Sequence, residues 1–90
     1  MTPDKIRAVI TLYRREFTRL EIPKVRCEPA HQVGDVTAIL AHCHALMDEM
    51  EQFVAEGRLE KAFRWLGFVQ GCLWSCRVYT VDQLKRHNMP

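Results

Sequence analysis

The sequence predicts an all-α fold, a three-helix bundle with a short fourth helix at its C-terminal end. Three observations carry that reading. Apolar residues recur at spacings of three and four over residues 3–21, 35–56 and 58–77, the period of an amphipathic helix. Helix-start and helix-stop residues bracket those stretches. The composition, 48% hydrophobic and 27% charged over 90 residues, is that of one ordinary globular domain with a single small core.

The first helix starts at Thr2-Pro3-Asp4. Thr2 suits the N-cap, Pro3 has its φ preset for the first helical position, and Asp4 meets the positive end of the helix. Ile6, Val9, Ile10, Tyr13, Phe17 and Leu20 form its apolar stripe, with Lys5, Arg14, Arg15 and Arg19 outside it. It should end near Glu21, because Pro23 biases Ile22 away from helical angles.

Residues 22–34, IPKVRCEPAHQVG, contain two prolines and a glycine and no sustained period. Pro29 is one possible start for the second helix. Asp35 as N-cap is the later and preferred one. A connector of this length serves function as readily as it merely joins two helices.

The second helix has the stripe Ile39, Leu40, Cys43, Leu46 or Met47, Met50, Phe53 and Val54. Asp48, Glu49, Glu51, Gln52 and Glu56 lie outside it. Gly57 then supplies a left-handed stop, and the tight turn at Gly57-Arg58 makes the second and third helices antiparallel neighbours.

The third stretch, 58–78, is apolar over most of its circumference, so it should be the central helix. Leu59, Ala62, Phe63, Leu66, Val69 or Gln70, Leu73 and Cys76 form its core stripe, while Trp65, Phe68, Cys72 and Trp74 fall largely outside. Gly67, Gly71 and Ser75 recur every four residues. A glycine inside a helix costs about 1 kcal/mol relative to alanine, so a packing reason is expected: a groove receiving another helix of this chain, or a second subunit. After Tyr79 comes a capping box, Thr80 with Gln83. It opens a fourth helix over 81–87 with Val81 and Leu84 turned inward and Lys85, Arg86 and His87 in the last turn, where positive charge is favoured.

Charge is segregated along the chain. Residues 1–26 carry seven Lys and Arg against three Asp and Glu, residues 27–56 none against six, and residues 57–90 six against two. One reading is an acidic helix between basic neighbours; the other is a basic face on the terminal segments that meets an acidic partner. No apolar run reaches the 18 or more residues of a membrane span, and MTPDKIRAV lacks a secretory leader's pattern. The expectation is a cytoplasmic protein whose Cys27, Cys43, Cys72 and Cys76 stay reduced, as core residues.

Several chemistries are poorly provided for. Cys27 with His31, Cys72 with Cys76, and His42-Cys43-His44 are the local metal-ligand candidates, yet there is no CxxC pair, and His42 and His44 cannot share a helix face. No metal and no cofactor are expected. Cys43 diverges from its flanking histidines, so no activated nucleophile is evident, and an enzyme is not expected. Nucleic acid is the runner-up partner, through Arg14, Arg15 and Arg19 of the first helix with Lys85 and Arg86 of the fourth. The leading class is protein–protein association. Exposed aromatic surface marks interfaces, and a homodimer burying Trp65, Phe68, Gly71, Cys72 and part of Trp74 is the simplest arrangement. A monomer in which the first and fourth helices cover everything is the alternative.

The segments KAFRWLGFVQGCLW (61–74) and VYTVDQLKRHNMP (78–90) together resemble a C-terminal pattern of small uncharacterised proteins encoded in bacteriophage and prophage genomes. The shared features are RWLGF, a QG pair, LW, then YT, an acidic residue, LK and HN. They cover about a third of the chain, and residues 1–57 match only as amphipathic helices. The resemblance implies an accessory gene product that binds a host or phage macromolecule inside a bacterial cell. It assigns no functional residue.

Overall fold

Four helices follow in order: α1 (Pro3–Arg19), α2 (Val36–Ala55), α3 (Leu59–Ser75) and α4 (Val81–Asn88). They are seen in a computed structural model that describes residues 1–29, 32 and 34–90. The starts are those expected from the sequence. The Thr2 side chain accepts from the Lys5 amide, Asp35 from Thr37, and Thr80 with Gln83 closes a reciprocal capping box. Pro29 lies outside any helix, so the later start of α2 holds.

Three of the helices, α1, α2 and α3, end in the same way. The amides of Ile22, Arg58 and Val78 bond to the carbonyls of Phe17, Phe53 and Leu73 at 2.9, 2.8 and 2.9 Å. Those of Glu21, Gly57 and Arg77 bond one residue further in, to Thr18, Val54 and Trp74. This is the Schellman closure, which needs a left-handed residue at its centre. Gly57 meets that need at φ 77°, whereas Glu21 and Arg77 adopt it at 59° and 63°, each against the steric cost of its Cβ. These two non-glycine stops end α1 and α3 about two residues earlier than the apolar period indicates.

The central helix is α2, not α3. α2 packs broadly against both α1 and α3, which barely meet each other. Its buried set, Leu40, Cys43, Leu46, Met47, Met50 and Val54, faces Ile6, Val9, Ile10, Tyr13 and Phe17 of α1 on one side. On the other it faces Ala62, Leu66, Val69 and Leu73 of α3. With only α2 broadly against it, α3 buries a narrower arc than its composition indicates. Phe63, expected in the core, is 46% exposed, and Phe68 and Trp74 are each 56% exposed. Leu20 and Val81 also lie at the surface rather than in the core stripe, whereas Leu84 packs inward.

A partly buried polar cluster fastens α4. Tyr13, with no exposed surface, accepts from the Gln70 amide nitrogen at 3.0 Å and lies 2.9 Å from His87 Nδ1. Which of the two groups donates in the Tyr13–His87 bond follows the tautomer of the imidazole. Gln70 and Asn88 exchange two further hydrogen bonds, at 2.7 and 3.1 Å. The Tyr79 ring closes the cluster, 5.7 Å from that of Tyr13 and edge-on to His87 at 4.6 Å. Burial pushes the Tyr13 hydroxyl up to about 12, so it keeps its proton throughout the physiological range.

Two consequences can be measured. Tyr13→Phe removes the hinge of the cluster and should cost about 1 kcal/mol, a fall in Tm of roughly 4–8 °C by calorimetry. Burial, then the charges of Arg86 and Lys5, hold His87 below its ordinary value of 6.5. Between those two values the unfolded chain binds the extra proton, so this stabilisation is complete above pH 6.5 and is lost as pH falls through the lower folded value. Urea midpoints at pH 7.5 and 5.0 should therefore differ more for the native chain than for His87→Gln.

Candidate functional site

Residues 22–29, the first part of the connector between α1 and α2, do not loop away from the bundle. They cross the outer face of α2 as an extended strap, held at successive points. The Ile22 carbonyl lies 2.8 Å from His44 Nδ1, the Val25 amide bonds to the Ala41 carbonyl at 3.2 Å, and the Cys27 amide donates to His42 Nδ1 at 3.0 Å. Lys24 bridges to Asp48 at 3.2 Å and Arg26 pairs with Glu49. His42 and His44 thus do opposite work. His44 donates to a carbonyl through a protonated Nδ1, and His42 accepts an amide proton through a bare one. Burial and the neighbouring Arg26 charge keep His42 below the usual imidazole range, which preserves its acceptor.

The strap reaches α3 at one cluster of side chains. Arg26 stacks over the Trp65 ring at 5.7 Å, and Trp65 stands edge-on to Phe53 at 4.9 Å. Lys61 lies over both of those rings. Beyond this cluster a cleft of about 650 Å³ opens between strap and helix. Arg26, Cys27, Glu28 and Pro29 form one wall, Ile39, His42 and Leu46 of α2 the floor, and Arg64, Trp65, Phe68, Cys72 and Ser75 of α3 the other wall. The lining is mostly apolar, with a few polar groups at the edge, which is the usual make-up of a binding site. The Phe68 ring meets His42 edge-on at 6.3 Å, so the imidazole that anchors the strap also shapes the floor.

Comparison with family models, curated proteins and solved structures gives no match.

The cleft gathers Trp65, Phe68 and Cys72 of the candidate interface. Gly71 and Trp74 lie elsewhere, both exposed; Trp74 borders a smaller hollow beside Tyr79 and Thr80. The groove expected at Gly67 and Gly71 is unfilled by the described residues, since a Cβ added to either glycine would meet none of them within 4 Å.

The candidate nucleic-acid residues divide in a similar way. Arg14 bridges Asp48 at 2.7 Å and Glu51 at 2.9 Å, and holds both carboxyls below their ordinary range. Arg19 pairs with Glu16. Arg15, Lys85 and Arg86 are exposed.

Of the metal-ligand candidates, His31 lies outside the described residues. Among the described residues no three His, Cys, Asp or Glu side chains gather as a metal site. Cys43 is fully buried in the core, and Cys72, half-buried on α3, lines the cleft.

Sequence reasoning did not find Arg26, Cys27, Ile39, His42, Leu46 or Arg64 as cleft residues. The only signal was the unusual length of the connector. The anchoring role of His42 is open to test by amide exchange. In His42→Ala the Cys27 amide loses its acceptor, a change of about 1 kcal/mol, so it should exchange roughly 5- to 10-fold faster. The Val25 amide, bonded to the α2 backbone, should change much less.

Proposed function

We propose that the protein is a non-catalytic interaction module that self-associates through the outer arc of α3 and leaves the cleft for a macromolecular partner. One observation carries this reading. Phe63, Phe68 and Trp74 are exposed on α3 alongside Gly67 and Gly71, and none of the described residues lies over those glycines. Large exposed apolar groups on a small domain are the ordinary mark of an interface. Glu60 and Arg64, the charged residues on this arc, pair with each other at 3.6 Å, so the arc carries little net charge to repel a second copy. A two-fold axis would present the same arc on both partners. The resemblance of residues 61–74 and 78–90 to a pattern of phage and prophage proteins is in keeping with a partner met inside a bacterial cell. Nucleic acid is the weaker reading, because Arg14 and Arg19 of the five candidate contacts already face carboxylates of this chain.

Light scattering on eluting protein should give twice the monomer mass, and Phe68→Glu with Trp74→Glu should give a folded monomer. Gly71→Ala separates an interface from an idle surface. It should stabilise the isolated helix by about 1 kcal/mol, yet weaken association wherever a second backbone approaches the glycine. A strictly monomeric native chain across protein concentration and salt would refute self-association. A gel shift with DNA or RNA that weakens as salt rises would favour the second reading instead.

A further inference from the structure

The inside of the cleft has a chemistry that association through the outer arc of α3 does not use. Two of its sides are rows of side chains at helical spacing. Trp65, Phe68, Cys72 and Ser75 follow one another at intervals of three and four along α3, and Ile39, His42 and Leu46 do so along α2. Residues so spaced share a helix face, and at 1.5 Å per residue the longer row runs for about 15 Å. The two rows approach at His42 and Phe68, whose rings meet edge-on at 6.3 Å.

His42 is the polar group within these apolar rows, and its protons are assigned by the strap. The Cys27 amide can only donate, so the Nδ1 that receives it at 3.0 Å is bare and the neutral ring carries its hydrogen on Nε2. Burial and the Arg26 charge favour that neutral ring. None of the described residues accepts the Nε2 hydrogen. The charges at the edge of the cleft are already answered or opposed. Arg26 pairs with Glu49 and Arg64 with Glu60. Glu28, the one acidic residue on the lining, pairs with none of the described cations. An anionic ligand would meet Glu28, and a cationic one would meet two guanidinium groups.

We propose that the cleft binds a small, uncharged, flat apolar molecule bearing a carbonyl group, with Trp65 and Phe68 against its body and the His42 Nε2–H donating to its carbonyl oxygen. The cleft volume of about 650 Å³ suits a small ligand, and one placed donor in an apolar lining is how such sites fix orientation. Phe68, 56% exposed, gains apolar cover from a flat ring laid against it. A ligand that displaced water from His42 without accepting its hydrogen would leave a donor unpaired, so the carbonyl is selected. The inference rests on the cleft being the surface left for binding, narrows what enters it, and is independent of self-association.

The test is titration of the protein with three dimethylaminonaphthalene dyes, one bearing a propionyl ketone, one a propyl chain and one a carboxylate. Binding is read as quenching of Trp65 emission in Trp74→Phe, where Trp65 is the remaining tryptophan. The ketone should bind roughly 5- to 10-fold more tightly than the propyl dye, the worth of one hydrogen bond, and more tightly than the carboxylate. His42→Phe should erase the difference between ketone and propyl dyes. Ser75→Phe, at an exposed position on the cleft wall, should weaken the ketone by roughly tenfold or more. Should His42→Phe fail to fold, the ratio of ketone to propyl affinity without that substitution still decides the point. Equal affinity for those two dyes, tighter binding of the carboxylate, no response of Trp65, or binding indifferent to Ser75→Phe would overturn the proposal. A strictly monomeric chain would refute self-association and leave this site standing.

Discussion

The structure depends on the way the surface of α2 is shared among three neighbours. α1 takes one flank, α3 the other, and the strap of residues 22–29 crosses the outer face. Charge helps to set that order. Asp48, Glu49 and Glu51 of α2 meet Arg14 of α1 with Lys24 and Arg26 of the strap. The acidic middle of the sequence is thus answered by the basic N-terminal segment. Partly exposed pairs of this kind contribute at most about 1 kcal/mol each. They choose among arrangements that the apolar faces already permit. The basic residues of α3 are spent differently: Arg64 turns to Glu60 on its own helix, and Lys61 lies over Phe53 and Trp65.

What the sequence reveals is local, and local features are read well. Thr2, Asp35, the Thr80–Gln83 box and Gly57 act within three or four residues of where they stand, so their chemistry appears in the string itself. The left-handed stops at Glu21 and Arg77 are local too, yet neither residue type advertises that conformation. They are held there by the paired backbone bonds around them. The rank of α3 fails for a different reason. Apolar period identifies residues able to be buried, and it does not count the neighbours available to bury them. Phe63 fits the stripe and is exposed because α3 has only one broad neighbour.

The site is less legible than the fold because its parts are joined by distance rather than by spacing. Tyr13 and His87 are 74 positions apart, and the Tyr13–Gln70–Asn88 chain spans three helices. The strap has no period at all, so its course is defined by contacts distant in sequence, with His42, His44, Ala41, Asp48, Glu49 and Trp65. The histidine pair illustrates the limit. Spacing correctly states that His42 and His44 diverge on the helix. It cannot state that a single connector, crossing between those two directions, would use one as donor and the other as acceptor.

The same distinction bears on the two glycines of α3. Together they forgo about 2 kcal/mol of helix stability relative to alanine, a large share of the margin on which a domain of this size folds. Among the described residues there is no compensation, since neither glycine receives a close neighbour from them. The compensation must come either from a contact outside the chain or from a demand other than stability. Trp65, Phe68 and Cys72 beside them form a cleft wall in which an aromatic pair flanks a thiol. Filling the adjacent arc with side chains would stiffen the helix, and it would also bar a second backbone from approaching. An unfilled arc next to a built cleft therefore separates the work of α3 into an inner face that holds the fold and an outer one open to contact.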